Sequence, residues 1–152
     1  LRFGRPKVPN FMPEDFEFTI GKALHLVEGT DVSIFAIGHL VWHALEAAKE
    51  LKKQGISAEV INIHTIKPID EKAILKSVEK TGCVVTAEEH QINGGLGDSV
   101  GQVLARNLPA PIEYVAVMDR FGESGKPEEL LEAYGLDAVH IIAAAKKAVT
   151  RN

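Results

Sequence analysis

The stretch Val32-Ser33-Ile34-Phe35-Ala36-Ile37-Gly38-His39-Leu40-Val41-Trp42-His43-Ala44-Leu45 decides the fold class of this chain. Its first six residues are an apolar run closed by Gly38, which reads as a buried strand. From Leu40 the apolar positions Leu40, Val41, Ala44, Leu45, Ala48 and Leu51 recur at helical spacing as far as Gly55. Strand is followed by helix, and the unit repeats. Ala58–Ile63 reads as strand and Asp70–Lys80 as helix, Cys83–Ala87 as strand and Leu96–Asn107 as helix, and Glu113–Val117 as a last strand. Upstream, Ala23–Val27 followed by Glu28-Gly29-Thr30-Asp31 predicts a short strand, a turn and a hairpin with Val32–Ile37. Two helices close the chain, one starting near Pro127 and ended by Gly135, the other capped by Asp137 and running to about Ala148.

Alternation of this kind predicts an α/β fold: three αβα layers around a five-stranded, mostly parallel sheet with one antiparallel edge strand. Ligands of open α/β sheets sit beyond the carboxyl ends of the strands. That edge is expected to carry His39, His64, Lys67, Glu88, Glu89, His90, Asp119 and Arg120. A cluster this polar could serve a ligand, line a solvated rim or form an interface.

With 152 residues, 45% hydrophobic and 25% charged, the chain has the size and balance of one globular domain. Its 17 basic and 21 acidic residues leave a net charge of −4, so neither nucleic acid nor anionic lipid is an expected partner. The lone Cys83 can form neither an intrachain disulfide nor a thiolate metal site, and a reducing cytoplasm is its natural setting. No apolar run approaches the roughly 20 residues that span a bilayer, and the first residues lack the apolar stretch of a signal peptide. Residues 1–13, with Arg2, Arg5, Lys7 and three prolines, read as an interdomain linker ahead of a domain at 14–152, as expected of a piece of a longer chain.

Several motifs invite a catalytic reading. Gly97-Asp98-Ser99-Val100-Gly101 matches the G-x-S-x-G nucleophile elbow, with Asp119 or Asp137 and then His140 downstream as acid and base. An elbow serine sits at an abrupt strand-to-helix turn, however, and Ser99 is expected within the first turns of a helix, where a small residue permits close packing. Gly94-Gly95-Leu96-Gly97 and Gly101 echo a dinucleotide fingerprint at the wrong spacing, and Asp98 would already satisfy the positive helix end. Gly122-Glu123-Ser124-Gly125-Lys126-Pro127 fails as a P-loop, because Arg120 stands at the first glycine and Pro127 at the Mg²⁺-binding hydroxyl. The six histidines show no strong zinc spacing, and no metal site is expected. Glu88-Glu89-His90 could move a proton, cap a loop or meet a partner domain.

Taken together, Gly21-Lys22-Ala23, Glu28-Gly29-Thr30-Asp31-Val32, Ile63-His64-Thr65-Ile66-Lys67-Pro68-Ile69-Asp70 and Thr86-Ala87-Glu88-Glu89-His90 leading into Gly94-Gly95-Leu96-Gly97 resemble the C-terminal domain of the transketolase superfamily. The resemblance covers residues 14 to 150. Transketolase, 1-deoxyxylulose-5-phosphate synthase and the β subunit of 2-oxo acid dehydrogenases share these signals. The tail Ser124-Gly125-Lys126-Pro127-Glu128-Glu129-Leu130-Leu131 with Tyr134-Gly135-Leu136-Asp137 is similar to transketolases, including those split into two subunits.

The resemblance implies transfer of a two-carbon ketol unit from a ketose phosphate to an aldose phosphate, with thiamine diphosphate and Mg²⁺ or Ca²⁺ held by upstream pyrimidine-binding and diphosphate-binding domains. A homodimer or heterotetramer is implied. No Gly-Asp-Gly occurs here, so no catalytic, cofactor-binding or metal residue is carried onto this chain. It reads as a structural, dimer-supporting domain, inactive and cofactor-free on its own, with His39, His64, Glu88, His90 and Arg120 as candidate interface or ligand-edge residues.

Overall fold

A computed structural model of the protein describes residues 9–12 and 14–152. Residues 1–8 and 13 of the expected linker lie outside the described residues. The chain forms β1 (Leu24–Val27), β2 (Val32–Ala36), α1 (Leu40–Lys53), β3 (Ala58–Asn62) and α2 (Glu71–Thr81). It continues as β4 (Val84–Gln91), α3 (Leu96–Asn107), β5 (Ile112–Val117), α4 (Pro127–Tyr134) and α5 (Ala138–Thr150). The five strands make one sheet in the order β1-β3-β2-β4-β5, with β1 antiparallel and the rest parallel.

Alternation along the strands feeds two cores. Ile34, Ala36, Val60 and Val85 point to one face, where Leu40, Ala44 and Leu51 of α1 and Ile141 and Ala145 of α5 cover them. Phe35, Ile61 and Val84 point to the other, under Ile74 and Val78 of α2 and Leu96, Val100 and Leu104 of α3. Every residue of β2 and β3 is buried, as strands covered on both faces must be. Helix ends follow the sequence signals. Asp70 caps α2 by accepting from the Ala73 amide at 3.2 Å, while its other oxygen accepts from the Ala23 amide at 3.0 Å and ties down the approach to β1. Gly135, in the left-handed region, closes α4, and the Asp137 carboxylate accepts from the His140 amide at 2.9 Å to start α5.

Two expectations are corrected. β1 is an antiparallel edge strand, yet it forms no hairpin with β2: it pairs with β3. β2 has both of its edges taken by parallel neighbours, β3 and β4, so the four residues between β1 and β2 cannot form a tight turn and instead cross the amino end of β3. There the Thr30 and Asp31 amides donate to the Ser57 carbonyl at 3.0 and 2.8 Å, and the Asp31 carboxylate accepts from the Ser57 amide at 2.7 Å. Strand β4 is also longer than its apolar run suggests. Glu88, Glu89 and His90 belong to the strand and do not follow it, because Gln91 still finds a partner in Val117 of β5.

The crossing depends on Gly29, whose α-carbon lies so close to the Ala58–Glu59 peptide that a methyl group would overlap backbone atoms on both sides of it. Gly29→Ala is therefore expected to destabilise the domain by about 3 kcal/mol, the upper range of overpacking, because a peptide in a central strand cannot move aside. Urea denaturation of the variant beside the parent protein checks this.

Candidate functional site at the carboxyl edge

The loops after β2, β3, β4 and β5 gather at one end of the sheet. Because β2 leads leftward to β3 and β4 leads rightward to β5, the switch between the two directions falls between the ends of β2 and β4. At that point Nδ1 of His39, the residue preceding α1, lies 3.0 Å from Oε2 of Glu89. Of the residues expected at this edge, these two are brought together.

Glu88 does something else. Only 2% exposed, it turns inward under α3, where Oε2 accepts from the Leu96 amide at 2.7 Å and Oε1 from the Gly97 amide at 2.8 Å. A buried carboxylate holding two free N–H groups of a helix start is a cap, strengthened by the positive end of the helix. Asp98 accepts from the Gly94 amide at 2.5 Å, so a second carboxylate serves the same helix start. The space beside Gly95 is filled by the Glu88 carboxylate.

His64 packs between Phe16 and Phe18, with ring centroids 6.0 and 4.7 Å away. Its Nδ1 is buried and has no hydrogen-bond partner among the described residues, and burial holds its pKa below the ordinary value. Nδ1 of His90 lies 2.7 Å from the Gln91 carbonyl. Arg120 turns away toward α4: its guanidinium lies 5.0 Å from the Tyr134 ring, donates to Glu123 at 2.9 Å and to the Ala133 carbonyl at 3.3 Å. His64, Glu88, His90 and Arg120 therefore serve separate local contacts and do not converge on one ligand.

The hydrolase arrangement does not assemble. Ser99 lies in α3 and donates to the Gly95 carbonyl at 3.0 Å, whereas His140 lies in α5 with its Nδ1 2.8 Å from Asp137. Helices α3 and α5 cover opposite faces of the sheet, which stands between the serine and the imidazole. The thiol of Cys83 is buried, donates to the Asp31 carbonyl at 3.3 Å and has its pKa pushed up by burial, so it is no nucleophile.

At the opposite end of the sheet the structure adds a cluster that sequence spacing could not reveal: His25, Glu28 and Glu59, drawn from β1, the crossing segment and β3. A cation already serves it. The Lys80 ammonium donates to Glu59 at 2.8 Å and to Glu28 at 3.1 Å, and Glu59 also accepts from Ser77. Ser77 continues through the Ser33 hydroxyl at 2.5 Å to Thr81 at 2.6 Å, which satisfies the buried polar atoms around Glu59.

The glycine-rich start of α3 could offer amides to an anion, but Glu88 and Asp98 already place two carboxylates there.

Glu88→Gln keeps the shape but sets an NH₂ group against an amide donor. It should lower stability by about 2 kcal/mol, the value of charged hydrogen bonds lost in a buried site, as urea unfolding would register. His64 titrates in the opposite sense from a paired histidine: with its folded pKa lowered, the unfolded chain takes up the proton first. Stability should therefore fall as pH drops through about 6.5 and level off below the folded pKa. His64→Phe should remove that part of the pH dependence, measured as melting temperature against pH.

The family model described as "Transketolase, C-terminal domain" matches residues 21–141. The 6-deoxy-6-sulfo-D-fructose transketolase subunit SqwH of Clostridium sp. (strain MSTE9) is 51% identical over 138 residues, 91% of this chain and 43% of that protein. The 1-deoxy-D-xylulose-5-phosphate synthase 1 of Geobacter sulfurreducens is 42% identical over 86% of this chain and 21% of its own length. Among solved structures, a split-gene transketolase described as an inactive beta4 tetramer superimposes with a TM-score of 0.92 at 46% identity, covering 95% of this chain and 47% of that one. The chain thus spans less than half the length of these proteins. The sheet order, the elements that build its carboxyl edge and these likenesses lead to one conclusion: the chain belongs to the transketolase C-terminal domain family.

Proposed function

We propose that the chain is the supporting C-terminal part of a transketolase that moves a two-carbon ketol unit from a ketose phosphate to an aldose phosphate. The observation that carries this reading is the match to the transketolase C-terminal family across residues 21–141, together with an edge at which Glu88, Arg120 and the His39–Glu89 pair make contacts within the domain. Thiamine diphosphate, bound elsewhere with Mg²⁺ or Ca²⁺, supplies the carbanion chemistry of such enzymes. This domain's own residues then contribute shape and docking: Glu88 holds the start of α3 against β4, and the His39–Glu89 pair joins the ends of β2 and β4. The partners are the upstream pyrimidine-binding and diphosphate-binding parts, in one chain or in a separate subunit, assembled as a homodimer or heterotetramer. A reducing cytoplasmic setting agrees with a single cysteine kept as a buried thiol. Among the described residues no helix is long and apolar enough to cross a membrane.

The synthase relative makes 1-deoxyxylulose-5-phosphate synthase the second reading. One assay separates the two. The upstream-extended protein, supplied with thiamine diphosphate and Mg²⁺, is expected to transfer a ketol unit from xylulose 5-phosphate to ribose 5-phosphate, and the present chain alone to be inactive. No ketol transfer by the cofactor-loaded protein would move the reading to the synthase or to the 2-oxo acid dehydrogenase β subunit; activity in this chain alone would place catalytic groups where none are assigned.

A further inference from the structure

Gly101 stands inside α3, where glycine is poorer than alanine at holding a helix. The domain itself explains one glycine of this helix and leaves the other unexplained. At Gly97 a methyl group would press into the Tyr114 ring, 2.7 Å from Cδ1, so the fold requires glycine there. At Gly101 it would meet only the Tyr114 hydroxyl at 3.7 Å and Cδ1 of Ile112 at 3.9 Å, which is ordinary contact. No described residue excludes a side chain at position 101, so the reason for glycine there lies outside the domain.

The surface around Gly101 is shaped for a close approach. Gly101, Gln102, Ala105, Pro109, Ile112 and Tyr114 line a groove of about 600 Å³ between α3 and β5, the strand that ends the sheet on this side. Charge is laid out evenly along the helix: Asp98 stands four residues before Gln102 and Arg106 four residues after it, and all three are exposed. A face acidic at one end and basic at the other is complementary to a reversed copy of itself, which is the requirement of a two-fold contact. Arg106 donates to Glu71 at 3.1 Å, but that pair is exposed and of the kind that holds weakly.

We propose that α3 is an element through which two copies of this chain meet. Each helix packs antiparallel on its counterpart about a two-fold axis at Gln102, Asp98 of each copy faces Arg106 of the other, and Gly101 with Ala105 lets the two helices come close. The inference rests on the reading of the protein as an assembly of more than one copy, and it names the surface used. Twelve residues give about 18 Å of helix, a contact that adds to a larger interface and does not make one alone.

Gln102→Cys in the upstream-extended protein tests this geometry without reference to activity. The native Cys83 is fully buried and takes no part. Under mild oxidation at micromolar protein, cysteines facing each other across the axis should form a disulfide between copies about 100-fold faster than the exposed control Glu128→Cys, because contact raises their effective concentration to the millimolar range. Dilution should leave that rate unchanged. Adding Ala105→Arg, at an exposed position where the core is untouched, should return the rate to that of the control. Gly101→Ala should slow it about 10-fold, or ~1.4 kcal/mol, and yet raise the urea midpoint of unfolding, since alanine is the better helix former. Cross-linking no faster than the control would overturn the proposal, and so would a rate that falls with dilution. A protein that sediments as a single copy overturns both this inference and the assembly reading; a multimer without the fast cross-link overturns this inference alone.

Discussion

Strand β2 sits at the centre of the sheet with parallel neighbours on both edges and no exposed residue, and the rest of the domain is arranged around that burial. A parallel strand cannot be reached by a tight turn, so each connection must cross over, and right-handed crossovers in opposite directions put α1 on one face and α2 and α3 on the other. Both faces are then covered, and the apolar alternation of β2, β3 and β4 is used twice, once toward each core. Completing the first face falls to α5, which returns across it and brings Lys147 to Glu113 at 2.9 Å at the outer strand.

The same constraint creates the two ends of the molecule. Loops leaving the strands collect at the carboxyl end, where functional groups of α/β proteins usually converge. Here the buried carboxylate at that end, Glu88, is structural. Each of its oxygens accepts from an amide of α3, which makes strand and helix one unit and keeps the carboxylate buried. At the amino end a second buried carboxylate, Glu59, is satisfied by Lys80 and a run of hydroxyls. Both buried acids are paid for by hydrogen bonds, as low-dielectric burial requires.

The exposed large apolar side chains of the described residues lie toward the carboxyl end of the sheet, Phe18 and Ile20 by one outer strand and Met118, Phe121 and Val139 by the other. The amino end, with Lys80 between Glu28 and Glu59 and no exposed large apolar side chain among the described residues, presents the opposite character.

Much of this was legible in the chain. Helix α3 begins and ends at the expected residues, Leu96 and Asn107, and Asp70, Gly135 and Asp137 mark helix ends as their types imply, because periodicity and capping are local properties carried by neighbouring residues. The five strands, the antiparallel edge and the polar character of the carboxyl end could be read as well. What β1 pairs with could not: a strand and a turn before Val32 look the same whether the next strand lies adjacent or one place further on, and only the competition for the edges of β2 decides. The length of β4 escaped for the same reason, since Glu88 looks like a loop residue until the amides of α3 are brought to it. The roles of His39, His64, Glu88, His90 and Arg120 depend on partners from other elements, or on which way a side chain turns. The sequence by itself determined the elements, because these depend on short-range geometry and hydrophobic period; pairing, burial and the division of polar from apolar groups at the edge were decided by the tertiary structure, because they depend on contacts between residues far apart in the chain.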